Sequence, residues 1–174
     1  MGNRLGKLLF ALALSGAGSF AAAHTDDGCE SFPLEISRAL TAVGAPALPL
    51  EAGVDATHPT TLTPGIHYSA KLLPQSDVRF VRTPARAARA ENPRAGLFSF
   101  TTQHAGRYRI GLSTSHWIDV LDGTTVIDSI SHEGRSGCVR LHKVVEFELP
   151  ANRTLTLQLS GQEAAVVGLI VVAD

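Results

Sequence analysis

Residues 139–149 read Val-Arg-Leu-His-Lys-Val-Val-Glu-Phe-Glu-Leu, and this stretch decides the fold class. Val139, Leu141, Val145, Phe147 and Leu149 sit at odd positions, so a period of two puts them on one face of a long strand. That face is predicted to enter a core. His142, Glu146 and Glu148 fall on the other face, which is predicted to meet water. Lys143 breaks the pattern. An ammonium on the apolar face must snorkel, find a partner or border a cavity, because burying it unpaired is costly.

The same grammar extends outward in both directions. Ile66–Leu72, Val78–Arg82, Gly96–Thr101, Tyr108–Leu112, Trp117–Leu121 and Thr124–Ile130 read as strands before it. Thr154–Leu159 and Val166–Val172 follow it. Thr63-Pro64-Gly65, His104-Ala105-Gly106, Asp122-Gly123 and Ser160-Gly161-Gln162 punctuate them, and Asp-Gly between apolar runs is a hairpin signal. Helical periodicity is nearly absent after residue 45. About nine strands at short spacing predict an all-β chain folded as an antiparallel, jelly-roll-like β-sandwich over residues 46–174. Residues 24–45 form an N-terminal segment. Leu34, Ser37, Ala39, Leu40 and Val43 give it a one-sided stripe between Pro33 and Gly44, which predicts one short helix. Residues 83–95, basic and flanked by proline, are predicted to be an exposed loop.

In the strand from Trp117, alternation sets Trp117, Asp119 and Leu121 on one side and Ile118 and Val120 on the other. Asp119 is therefore a candidate partner for Lys143 in a buried ion pair, set against a reading of two independent surface charges.

The chain has 174 residues, 44% hydrophobic and 18% charged, which excludes a disordered polar tail. A net charge of −1 leaves no electrostatic footprint for nucleic acid. The N-terminus carries Arg4 and Lys7, an apolar run from Leu8 to Phe20, then Ala21-Ala22-Ala23. That is the layout of a secretory signal peptide, predicted to span residues 1–23. The run is too short to cross about 30 Å of hydrocarbon, and no later apolar run is long enough to do so. A periplasmic or secreted location follows as the expectation. Cys29 and Cys138 are the only cysteines. In an oxidising compartment they are predicted to bridge, and the alternative of a metal thiolate pair lacks any Cys-x-x-Cys spacing.

Seven histidines are spread along the chain. Cleavage after Ala23 would make His24 the first residue, offering an amine and an imidazole together, a donor pair suited to Cu(II). With Cys29 bonded to Cys138, His24 would approach His132 and Glu133, with His116 at the start of a strand. These four residues are the candidate set for Cu or Zn. No His-Glu-x-x-His or Gly-x-Ser-x-Gly occurs, and no glycine-rich loop precedes a helix, so no catalytic residue is assigned. Glu146 and Glu148 share a strand face but read as solvated rather than as a glycosidase pair. The basic residues Arg79, Arg82, Arg86, Arg89 and Arg94 suit either solvent or an anionic surface, an acidic polymer or an envelope protein partner.

Two resemblances add to this. Phe98-Ser99-Phe100, Ala105 to Ile110, Trp117-Ile118-Asp119-Val120 and Leu155 to Gly161 resemble the secreted pre-peptidase C-terminal jelly roll, a module without catalytic activity. Over most of the chain after residue 23, the sequence is similar to a group of small exported proteobacterial proteins. That similarity rests on the signal followed by His and Cys, the Thr63-Pro64-Gly65 turn, Trp117 to Val120, and Gly137-Cys138 leading through Lys143 to Phe147 and on to Ser160-Gly161. Relatives sometimes carry the label homogentisate 1,2-dioxygenase, a far longer cupin whose iron triad of two His and one Glu has no counterpart here. The resemblance implies a non-catalytic binding or accessory role. The alternatives are a Cu/Zn-binding protein using His24 and an oxidoreductase as that label has it.

Overall fold

Alternating apolar and polar side chains, interrupted by turn residues, generate two stacked sheets. A computed structural model describes Gly2, Cys29 and residues 36–174. In chain order the described elements are α1 (Ser37–Val43), β1 (Leu48–Glu51), β2 (Thr60–Leu62), β3 (Tyr68–Lys71), β4 (Leu73–Pro74), β5 (Arg94–Thr102), β6 (Gly106–Leu112), β7 (Trp117–Asp122), β8 (Thr125–Ile127), β9 (Ser129–Gly134), β10 (Lys143–Leu149), β11 (Arg153–Gln162) and β12 (Val166–Ala173). One sheet runs β1-β3-β12-β6-β10-β9. The other runs β2-β5-β11-β7-β8, with β4 added to β5. The architecture is the all-β sandwich that the alternation predicts, with one short helix. No described helix is long and apolar enough to cross a membrane.

Several details differ from the sequence reading. There are twelve described strands, because β1, β2 and β4 are too short to show a period. β1 pairs with β3, and β2 with β5, in parallel; the other strand pairs are antiparallel. Val78–Arg82 is not a strand and contributes a single bridge, Arg79 to Asp55. The run from Thr124 to Ile130 divides at Asp128, with β8 in one sheet and β9 in the other. The long strand expected from Val139 begins only at Lys143, and Val139 is 79% exposed.

The main core lies between the sheets. Ile110, Val145, Phe147 and Leu169 meet Phe98, Phe100, Val120 and Leu157 there. A second apolar cluster covers the outer face of the first sheet: Ile36, Ala39 and Val43 with Leu141, Val144, Ile170 and the disulfide Cys29–Cys138. A seven-residue helix is marginal alone. It is held by this packing and by Arg38 Nη1, which donates to the Ala173 carbonyl at 3.0 Å. Gly111 permits the close approach, since a Cβ there would lie 2.5 Å from Leu141 Cδ1 and 2.8 Å from Ile170 Cγ2.

Because that outer face is covered, Glu146 does not meet water as expected. It is 4% exposed and accepts a 2.8 Å hydrogen bond from Arg109 Nε, its cross-strand neighbour. Arg109 also bonds Asp174. Glu148, one step along the same face, is exposed as predicted.

Candidate functional site

The sheets part at the edge where β7 and β8 face β9 and β10. A cleft of about 450 Å³ opens there. Its apolar lining comes from inward positions at the margin of the core: the buried Val145 and Phe147 on β10 and Ile118 on β7, with the half-buried Ile127 on β8. Register explains this. Val120 pairs with Ile127, which keeps Ile127 on the inner face at the margin of the sheet. Lys143 shares the inward face with Val145 and Phe147, so its side chain enters the cleft. Of the outcomes open to an ammonium on an apolar face, the structure shows two: Lys143 borders a cavity and finds partners there.

Trp117 is the centre of the polar part. Its Nε1 donates to Asp119 Oδ1 at 2.8 Å. Lys143 Nζ stands 5.0 Å from the ring centroid and the Arg86 guanidinium 4.7 Å from it, both within cation–π range. Lys143 Nζ also donates to the His116 carbonyl at 3.1 Å. Asp119 Oδ2 accepts a long, 3.4 Å bond from the Ala85 N–H. The expected Lys143–Asp119 ion pair is therefore not formed as a direct contact. Asp119 turns to the indole and to the loop backbone, and acts on Lys143 only through space. Burial first, then Arg86 and Arg89, push the Lys143 ammonium down to about 8, with Asp119 opposing.

Of the predicted loop 83–95, residues 83–93 are largely exposed, whereas Arg94 and Ala95 begin β5, with Ala95 fully buried against β4, and the approach to the loop is pinned. Gln158 on β11 is buried. Its Oε1 accepts from the Val81 N–H at 2.7 Å and the Arg82 N–H at 3.3 Å, and its Nε2 donates to the Arg82 carbonyl at 3.1 Å. Further along, the Arg89 N–H donates to the Gly161 carbonyl at 3.2 Å. These bonds hold Arg86 and Arg89 at the rim of the cleft. Gln158 carries no sequence signal for this role, since alternation reads it as an ordinary outward polar position.

His116 is fully buried. Its Nδ1 is hydrogen-bonded to Thr114 Oγ1 at 2.8 Å, while Nε2 has no partner in acceptable geometry. Burial pushes the imidazole down to about 4; the Gln162 backbone opposes this and Lys143 adds to it. The neutral ring is thus favoured by folding, and the unfolded chain binds the proton more readily. Stability is expected to fall as pH drops from about 6.5 to about 4, by up to about 3 kcal/mol. Urea unfolding across that window checks this, and His116→Leu should flatten the dependence. Asp55, bonded by Arg79 at 2.6 Å and by Thr57, is held far below the usual carboxylate range, so its own contribution is lost in more acidic solution.

The metal candidates are placed as follows. His132 pairs with Val145 and Glu133 with Val144, so they alternate along β9, and both contribute to the lining of the cleft. His116 is enclosed beneath Lys143. Among the described residues no three His, Cys, Asp or Glu side chains are grouped to hold a metal ion. His24 lies outside the described residues.

No family model matches this chain. No curated protein and no solved structure is significantly similar to it either. The cleft itself is what speaks to function. Its lining combines apolar side chains, the Trp117 ring, three cations (Arg86, Arg89 and Lys143) and three acidic residues (Asp119, Asp128 and Glu133).

Proposed function

We propose that this protein is a non-catalytic, exported β-sandwich binding protein that receives a small organic ligand in the edge cleft. The observation that carries the reading is the cleft of about 450 Å³ at β7–β10, lined by Val145, Phe147, Ile118 and Ile127. Ligand sites favour concave, mostly apolar volumes of roughly 300–1,000 Å³ with a few polar groups. Export is supported by the signal-like residues 1–23 and by the Cys29–Cys138 bond, which suits an oxidising compartment. A place among the small exported proteobacterial β-sandwich proteins, with a likeness to the pre-peptidase C-terminal jelly roll, belongs to the same proposal. The loop carrying Arg86 and Arg89 then serves the ligand, rather than an acidic polymer or envelope partner.

Thermal unfolding against a panel of small organic molecules tests this. Hits should raise the transition temperature of the native protein and lose their effect in Ile127→Trp, which fills the cleft. Hits that persist unchanged in Ile127→Trp would place binding elsewhere.

A second reading has one observation in its favour. The disulfide brings Cys29, five residues after His24 in sequence, to the loop that follows β9, the strand bearing His132 and Glu133. Cu(II) or Zn(II) titration of processed protein, repeated on His24→Ala and His132→Ala, tests that reading; binding unchanged in both variants contradicts it.

A further inference from the structure

We infer that the ligand of the edge cleft is an organic oxyanion, its acid group seated among Arg86, Arg89 and Lys143 and its apolar body laid over Val145 and Phe147. This rests on the reading of the cleft as a ligand site and adds the chemical class of what fills it.

Charge is the first argument. Arg86, Arg89 and Lys143 all line the cleft, and none has a carboxylate within 4.0 Å among the described residues. Lys143 Nζ is answered by a neutral carbonyl, that of His116, and by the face of Trp117. Arg86 is answered by the same ring. Asp119 is the one carboxylate whose field reaches Lys143 appreciably, and it is engaged by the Trp117 Nε1 and the Ala85 N–H. Asp128 and Glu133 also line the cleft, on the β8–β9 side, and neither figures among the causes of the Lys143 shift. Arg86 and Arg89 both disfavour the charged form of the half-buried Lys143, so each guanidinium repels its ammonium. An oxyanion placed among them relieves that repulsion and accepts charge-assisted hydrogen bonds, the stronger kind.

Shape is the second argument. Arg86 and Lys143 meet at the Trp117 ring, and the remaining lining includes Ile118, Ile127, Val145 and Phe147 beside the polar Asp128, His132 and Glu133. A bare inorganic anion would leave that apolar surface wet. A carboxylate or phosphate on a hydrocarbon body covers both parts. Gln158, bonded to Val81 and Arg82, and the Arg89 N–H, bonded to the Gly161 carbonyl, tie the loop to β11 at two points, which lowers the cost of ordering it on binding.

The chain contains one tryptophan, and it is in the site. Its emission, excited at 295 nm, is therefore a local reporter. The test titrates 4-phenylbutyrate, 4-phenylbutyl phosphate and the uncharged 4-phenylbutyramide into the disulfide-bonded protein, with calorimetry in parallel. At least one acid is expected to bind about tenfold or more tightly than the amide, as charge-assisted bonds imply. Lys143→Gln and the double variant Arg86→Gln/Arg89→Gln are expected to bring that acid to the level of the amide, with the transition temperature retained. Equal binding of acids and amide overturns the anion assignment and leaves the cleft a site for neutral apolar ligands. An acid preference that survives both variants overturns it too, because the anion is then held elsewhere. No binding of any of the three, by emission or calorimetry, counts against the anion and the cleft together.

Discussion

Loss of the Cys29–Cys138 bridge is expected to lower the unfolding free energy by about 4–5 kcal/mol, as the chain-entropy model gives for a loop of this length. The bond joins positions 109 residues apart, so its removal frees a large part of the chain in the unfolded state. Both cysteines are buried, at 2% and 0% exposure, inside the cluster that seats α1. Reduction therefore also loosens the cover over Leu141, Val144 and Ile170. Urea unfolding with and without reductant, matched by the double variant Cys29→Ala/Cys138→Ala, measures the effect. A change below about 1 kcal/mol would mean that the helix and sheet hold this cover without the covalent tie.

Arg109→Ala is expected to cost about 3–5 kcal/mol, the range for breaking a buried ion pair from one side. Arg109 is 5% exposed and serves two carboxylates, Glu146 and Asp174, with Arg107 3.9 Å from Glu146 on the exposed side. Removing the guanidinium leaves Glu146 charged, enclosed and served only by that distant arginine. The double variant Arg109→Met/Glu146→Leu should recover most of the loss, since two apolar groups of similar volume need no partners. Equal losses in the single and double variants would show that packing, rather than stranded charge, sets the cost.

The sandwich was legible because its decisive strands expose one kind of side chain to the core and another away from it. Val145, Phe147 and Leu149 on β10 and Ile118 and Val120 on β7 keep the period of two into the core, and Gly123 takes φ 59° where Asp122-Gly123 announced a turn. Lys143 among apolar neighbours left snorkelling, a partner or a cavity open, and alternation alone does not choose between them. What alternation does not record is the fate of the outward face. Glu146 and Gln158 both read as solvated, and both are buried, one beneath the α1 and disulfide side and one beneath the loop around Val81 and Arg82. Cover of that kind comes from segments distant in sequence and leaves no local mark. The crossing at Asp128 was hidden for a related reason. Thr125-Val126-Ile127 and Ser129-Ile130 have equal strand character, and nothing in the run marks where the chain leaves one sheet for the other. That crossing separates β8 from β9 and bounds the cleft.

Hydrogen exchange tests the central claim, that this sandwich binds its ligand where its sheets part. Amides of β8, β9 and residues 85–89 should exchange more slowly when the protein is saturated with its tightest-binding small organic ligand, and those of the groove beside α1, lined by Thr41, Pro64 and His104, should not change. Protection confined to the α1 groove, or absent from β8 and β9, would contradict the account.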